Sequence, residues 1–200
     1  MAVRTLPQRR NGGKRSREYH VSREEQDAFA LESHRRAVQA IKDGKFRDEI
    51  LPVELKDRKG NVTVFDTDEG PRDGQTIEKL QKLRPCFVKD GTVTAGNASS
   101  LNDGAAAVVL MSREKVEELG IKPVLTIRGY AVAGNDGALM GYAPKLSSEK
   151  LAGKLGLDLQ DIDMFEINEA FASQAVAVSR DLGLDMEKVN IYGGGNLHRS

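Results

Sequence analysis

The sequence predicts an α/β layered fold, in which helices pack on the faces of a sheet. Two runs carry apolar residues at helical spacing, at residues 23–41 and 169–182, and three runs are apolar or β-branched, at residues 105–111, 124–133 and 162–167. Helical and strand-type runs alternate along the chain, which is typical of this class. With 200 residues, 39% of them hydrophobic, the chain can form one large domain or two small ones.

The composition excludes several classes of protein. Lysine plus arginine equals aspartate plus glutamate at 30 each, so net charge gives no reason to expect binding to nucleic acid or to a membrane surface. A single cysteine, Cys86, allows no intramolecular disulfide and favours a reducing compartment. No apolar run approaches the roughly 18 residues that cross a bilayer, and the basic start lacks the apolar segment of a secretory signal. We therefore expect a cytoplasmic protein.

The first elements are a tail and a long helix. Residues 1–17 are rich in arginine and lysine and have no apolar period, which predicts an unfolded tail. Ser22, followed three positions later by Glu25, forms a capping box, and Gly44 is typical of a helix end. Between them lie apolar residues at helical spacing: Phe29, Ala30, Ala37, Val38 and Ile41.

A β-hairpin and a short helix are predicted next. Residues 50–55 and 62–65 are strand-type runs on either side of a turn-type cluster at residues 58–61. The short helix is expected at residues 77–83.

A polar loop of small residues at positions 93–104 precedes the apolar run at residues 105–111, which we interpret as a buried strand. Small side chains let a ligand approach the backbone closely. The sequence therefore places a candidate binding surface in this loop.

The second half begins after a short helix. Ser112 is the expected N-cap of this helix, which ends at Gly120, and Pro123 opens a strand at residues 124–133. We place a domain boundary at residues 121–123.

Three elements follow. We expect a helix from Ser147 or Ser148 to Leu155, a strand at residues 162–167 and a helix at residues 169–182. The inward side chains of this last helix are Phe171, Ala175, Val176 and Val178.

Three stretches, at residues 93–111, Met140-Gly141 and residues 165–172, together resemble the thiolase family. The run Asn168-Glu169-Ala170-Phe171 at a strand end is the most specific part, and the likeness covers residues 18–194. The resemblance implies two βαβαβαββ domains in five layers, with a loop domain over the active site that holds coenzyme A. It assigns four parts: a disordered basic tail (1–17), the rear of the loop domain (18–88), the end of the N-terminal domain (89–122) and the start of the C-terminal domain (123–200).

The family resemblance also implies a function. Such an enzyme transfers acyl groups between thioesters, condensing two acetyl-CoA molecules or thiolysing acetoacetyl-CoA. Coenzyme A thioester is the substrate, and no metal or redox cofactor is needed. The expected partner is an acyl-CoA substrate, and the full-length parent is expected to be a homo-oligomer, a dimer or tetramer, with no nucleic acid and no membrane.

Asn168 is the candidate catalytic residue. By the resemblance, its amide holds a water that donates to the enolate oxygen of the incoming acetyl group. An asparagine at a strand-to-helix junction is also a preferred helix N-cap, so a structural role stays open beside the catalytic one.

Five further residues are candidate substrate contacts by the resemblance. Ser99 matches a contact to the pantetheine amide and Ala98 lines the same tunnel, although a serine in a turn is often only a turn residue. Arg72 falls near the coenzyme A nucleotide, or is a solvated surface arginine. Met140 matches a pocket methionine, or is core. Phe171 lies in the motif and is expected to pack.

The sequence departs from the family at the nucleophile. The Cys-x-Ser-Gly motif lies upstream of the matched region and is not present, and Cys86 has neither a helix N-terminus nor a neighbouring histidine to activate it. We interpret Cys86 as a buried apolar residue. Ser200 stands at the position of the Gly-His-Pro histidine, His198 is two places early, and His20 and His34 are expected on the surface.

Three hypotheses follow. The chain is a segment of a thiolase-type enzyme that is inactive alone, or a non-catalytic remnant that binds coenzyme A weakly or not at all. A third hypothesis is nucleic-acid binding through the basic start, which lacks interleaved aromatic residues: Arg4, Arg9, Arg10, Lys14, Arg15 and Arg17.

Overall fold

The computed structural model describes residues 20–194, apart from the side chain of Met140. The predicted tail at residues 1–17 and the ending with His198 and Ser200 lie outside these residues. The helices and strands are α1 (Arg23–Lys42), β1 (Val53–Lys56), β2 (Val62–Phe65), α2 (Ile77–Gln81), α3 (Arg113–Glu118), α4 (Ala143–Leu155) and α5 (Ala172–Asp181), with 3₁₀ turns at Gly137–Tyr142 and Leu159–Asp161.

Helix α1 is the central element, and it packs against both α2 and α5. The predicted capping box is confirmed: the Glu25 N–H donates to Ser22 Oγ at 3.1 Å, and the Ser22 N–H donates to the Glu25 carboxylate at 2.6 Å. The chain leaves the helix through Gly44 at φ +67°, a left-handed conformation that glycine adopts without strain.

The buried face of α1 is more polar than the sequence interpretation allowed. Beside buried alanines it carries four buried polar side chains: Gln26, Asp27, Ser33 and His34. The expectation of a surface His34 is wrong, since only 2% of this residue is exposed. It lies four positions after Ala30 and three before Ala37, and therefore on the inward stripe of the helix.

The predicted hairpin and short helix are confirmed. β1 and β2 pair antiparallel, with Val53 opposite Phe65. The Asp57 carboxylate accepts the N–H groups of Lys59 and Asn61 at 2.8 and 2.9 Å, which closes the turn. Helix α2 starts at the predicted position.

The predicted strands at residues 105–111 and 124–133 are wrong, and the strand at residues 162–167 shrinks to one bridge between Phe165 and Val189. Val109 is 86% exposed and Val124 is 94% exposed. A strand needs a neighbour for its backbone N–H and C=O groups. In the described part of the chain, only β1 and β2 pair to form a sheet.

The helices of the second half differ from prediction mainly in where they begin. Ser112 caps α3 as expected. Helix α4 begins at Ala143, earlier than Ser147, because Pro144 fits the first turn of a helix. Helix α5 begins at Ala172 and packs on α1 and α4. Within residues 20–194, no helix combines the length and the apolar character needed to cross a membrane.

Candidate functional site

The small-residue loop and the start of α5 lie side by side. Ala98 and Phe171 form an antiparallel bridge. The Ser99 N–H donates to the Ala170 carbonyl at 3.1 Å, and the Ala172 N–H donates to the Asn97 carbonyl at 3.0 Å. The two stretches that the sequence analysis singled out are therefore joined by backbone hydrogen bonds.

A buried polar network fastens the loop to α1. The Asn97 side-chain amide donates to Asp27 Oδ1 at 2.9 Å and to the Thr92 carbonyl at 3.1 Å, and its oxygen accepts the Thr94 N–H at 2.8 Å. Arg23 pairs with the other Asp27 oxygen at 2.7 Å. A buried carboxylate is tolerated only when it is paired and hydrogen-bonded, and these contacts supply both conditions.

Apolar packing supports the loop from the other side. Phe171 is buried with Val93 and Ala98, and its ring meets Phe87 edge to face, with centroids 6.4 Å apart and planes at 87°. Phe171 therefore packs against the loop through Val93 and Ala98.

Asn168 lies on the exposed surface just before α5. Because the N-cap of α5 is Phe171, the alternative interpretation of Asn168 as a helix N-cap is wrong. The next residue, Glu169, is only 1% exposed. Adjacent side chains thus point in opposite directions, as they do along an extended backbone.

The residues on both sides of Asn168 are tied to one asparagine. The Asn190 amide donates to Glu169 Oε1 at 2.7 Å and to the Ile167 carbonyl at 2.9 Å, while its oxygen accepts the Ile167 N–H at 2.7 Å. Ser33 of α1 donates to Glu169 Oε2 at 2.8 Å. Partial burial, together with the negative charge of Glu169, raises the pKa of Glu166.

Ser99 is half-buried and donates its hydroxyl to the Ser100 carbonyl at 3.2 Å. Met140 lies in the 3₁₀ turn Gly137–Tyr142, which packs against α5. The structure thus brings Ala98, Ser99 and Phe171 together beside the segment that carries Asn168.

Arg72 is attached elsewhere on α1. Its N–H donates to His34 Nδ1 at 3.3 Å. Burial, reinforced by the Arg72 charge, lowers the pKa of His34. Because His34 follows Asp27 by seven residues, Arg72 is anchored about 10 Å along α1 from the loop attachment.

Two further features lie away from these residues. A cavity of about 590 Å³ lies between the end of α1 and Tyr192, and its lining includes Phe46 and Pro71 but no predicted site residue. Cys86 is exposed, so its interpretation as a buried apolar residue is wrong. Its N–H donates to the Val93 carbonyl at 3.0 Å, while its thiol side faces solvent.

Two family models match nearly the whole chain. The thiolase N-terminal domain matches residues 11–114, and the thiolase C-terminal domain matches residues 121–196. The chain belongs to the thiolase family. The sequence-based recognition of this family is confirmed, whereas the finer domain boundaries and the site residues stay predictions.

Curated thiolase relatives are similar over most of this chain. An acetyl-CoA acetyltransferase of Pseudomonas aeruginosa is 53% identical over 176 residues, which are 88% of this chain and 45% of the relative. One of Syntrophomonas wolfei is 54% identical over 178 residues, 88% of this chain and 44% of the relative. The chain therefore spans a little under half the length of these thiolases.

Solved thiolase structures confirm the predicted α/β thiolase-like fold. The Bacillus anthracis acetyl-CoA acetyltransferase superposes with a TM-score of 0.91 at 46% identity, covering 99% of this chain and 50% of that one. Human mitochondrial 3-ketoacyl-CoA thiolase gives 0.90 at 43% identity, covering 96% and 49%. The fold of this chain is therefore similar to that of about half of each of these thiolase structures.

The buried polar residues that support the site were not predicted from the sequence. Asp27 and Ser33 lie on the helical stripe that also contains Ala30 and Ala37, so the period of α1 could have revealed them as inward. Asn190 carried no such signal, because its role depends on a backbone conformation with φ +47°.

Proposed function

We propose that this chain carries part of the active site of an acetyl-CoA C-acetyltransferase, which condenses acetyl-CoA or thiolyses acetoacetyl-CoA. The observation that carries the proposal is the backbone pairing of residues 97–99 with residues 170–172, because it brings the two family motifs together. Thiolase relatives named acetyl-CoA acetyltransferase support this choice of reaction.

In the proposed site, Asn168 orients a water toward the enolate oxygen, where negative charge develops. Ser99 and Ala98 contact the pantetheine arm, Arg72 the nucleotide end and Met140 the acyl group. Acyl transfer between thiols changes no oxidation state, so the proposal includes no redox cofactor and no metal. It places the protein in the cytoplasm, with further thiolase chains as partners.

A chimera tests the proposal directly. Residues 20–194 replace the matching segment of the Pseudomonas aeruginosa acetyl-CoA acetyltransferase, and thiolysis of acetoacetyl-CoA is measured. We expect turnover by the chimera and a loss of about 100-fold in kcat on Asn168→Ala, the size seen when one oxyanion donor is removed. Glu118→Gln, an exposed substitution on α3, is the control and is expected to leave kcat unchanged.

The 200-residue chain is assayed in parallel for thiolysis and for coenzyme A binding by calorimetry. Binding without turnover by the chain, together with an active chimera, fits the proposal. An inactive chimera that is folded and has the same oligomeric state as the parent enzyme contradicts it and favours the non-catalytic hypothesis. Nucleic-acid binding through the basic N-terminal residues stays a separate prediction. Retention of the chain on DNA at physiological salt tests it.

A further inference from the structure

We propose that Glu169, Asn190 and Ser33 form a clamp that positions Asn168. The clamp holds the Asn168 carboxamide in the orientation that directs its water toward the enolate oxygen. This clamp is defined by those three residues. The inference rests on the proposed function, because it assigns a role in the acyl-transfer reaction to these three residues. Glu169 lies in the family motif without an assigned role, and Asn190 and Ser33 lie outside the motif.

The clamp grips the backbone on both sides of Asn168. Asn190 binds Ile167 through both its N–H and its carbonyl, at 2.7 and 2.9 Å. The second hydrogen of the same amide goes to Glu169 at 2.7 Å. One side chain therefore fixes the residue before Asn168 and the residue after it, and leaves Asn168 itself facing outward.

Glu169 connects this segment to α1. Its other carboxylate oxygen accepts from Ser33 at 2.8 Å, and Ser33 Oγ in turn accepts the Gly194 N–H at 3.0 Å. Three parts of the chain thus meet at one buried carboxylate: α1, the segment before α5 and the loop at residues 190–194. Ser33, Glu169 and Asn190 are all at least 95% buried.

A buried carboxylate is a costly way to fill space, because an apolar side chain of similar volume loses no hydration. The carboxylate adds direction, because its two oxygens accept from Asn190 and Ser33 and hydrogen bonds are directional. These contacts restrict movement of the segment. Reaction rates depend on the placement of catalytic groups to within about 1 Å. A rigid support for an exposed carboxamide is the physical reason for such a clamp.

The surrounding backbone is built for this contact. Asn190 adopts φ +47°, a conformation in which asparagine is enriched among non-glycine residues. A Cβ at Gly194 would overlap the Glu169 carboxyl group and approach Asn190 Nδ2 to 2.6 Å. The close approach therefore requires glycine at position 194.

Variants of the clamp in the active chimera give the main test. Glu169→Ala removes both acceptors, and we expect kcat to fall by about 100-fold while KM changes by less than about threefold. Ser33→Ala removes one donor and is expected to lower kcat by about tenfold. Glu169→Gln keeps an acceptor for Asn190 and can donate to Ser33, so it is expected to restore kcat to within about threefold of the parent.

A swap tests the Asn190 contact. Asn190→Asp sets two carboxylates against each other and is expected to lower kcat. The double variant Asn190→Asp with Glu169→Gln restores one hydrogen bond in reversed polarity and is expected to recover part of that loss. Glu118→Gln, an exposed substitution on α3, is the matched control.

Hydrogen exchange in the 200-residue chain gives the second readout. We expect Ser33→Ala to accelerate exchange of the amides of residues 167–170 and to leave protection in the middle of α1 unchanged. If Ser33→Ala and Glu169→Ala both keep the kcat of the parent chimera, the clamp is overturned. It is also overturned if all variants lose stability, substrate binding and kcat to the same extent. If the parent chimera is inactive, the proposed function fails, and unchanged exchange at residues 167–170 then overturns the clamp on its own.

Discussion

Replacing Asn97 with alanine tests the network that fastens the small-residue loop to α1. The substitution removes the donor to Asp27, the donor to the Thr92 carbonyl and the acceptor for the Thr94 N–H. Asn97, Asp27 and Thr94 are all fully buried, so water cannot take the place of the lost partners.

The expected loss of stability follows from these contacts. A hydrogen bond to a charged group contributes about 1.5–3 kcal/mol, and a buried N–H left without a partner costs about 1–3 kcal/mol. Taking the lower part of both ranges, we expect Asn97→Ala to lower the free energy of unfolding by about 3 kcal/mol, which is roughly a 100-fold change in the folding equilibrium.

Urea unfolding followed by far-UV circular dichroism measures this loss, and hydrogen exchange of the Thr94 amide localises it. Asn102→Ala is the matched control, since the Asn102 side chain in the same loop is exposed and donates to Ser100 Oγ at 2.8 Å. We expect the control to stay within about 0.5 kcal/mol of the parent. A loss below about 1 kcal/mol for Asn97→Ala, with unchanged Thr94 exchange, would refute the reasoning.

Three further predictions follow from single sites. Burial lowers the pKa of His34 below 6.5, so folding favours the neutral imidazole. The stability of the fold is therefore fully present above pH 6.5. It falls as the pH drops through the folded pKa, by at most about 1.4 kcal/mol per pH unit. His34→Asn keeps an acceptor and should remove this dependence in unfolding curves from pH 5 to 8. Gly194→Ala should prevent stable folding because its methyl group overlaps Glu169. Gly153→Ala, in α4, has open space around the new methyl group. It should add about 0.5–1 kcal/mol to the free energy of unfolding and so raise the melting temperature. Exposed Cys86 should react fully with Ellman's reagent without denaturant, and slow reaction would contradict its exposure.

Elements that depend on neighbouring residues were predictable. The capping box of α1, the turn of the hairpin and the Ser112 cap of α3 each involve residues within four positions of one another. Side-chain contacts over such short separations form in the same way wherever the segment lies in the fold. Their signals therefore survive in a single sequence.

The strand predictions failed for a physical reason that the sequence does not carry. Residues 105–111 and 124–133 have strand-type composition, but a strand exists only where another strand accepts and donates its backbone hydrogen bonds. The composition of a segment indicates that its side chains suit a pleated sheet. It does not show whether a second strand lies beside the segment to pair with it.

The sequence by itself determined the family, the long first helix and the two motifs that lie at the candidate site. Tertiary structure decided how those motifs are held, through the contact of Asn97 with Asp27, 70 residues away, and of Ser33 with Glu169, 136 residues away. Each side chain of these pairs would be an ordinary polar residue in an isolated segment. Their roles arise only when packing removes water from both partners at once, so that each becomes the other's necessary hydrogen-bond partner.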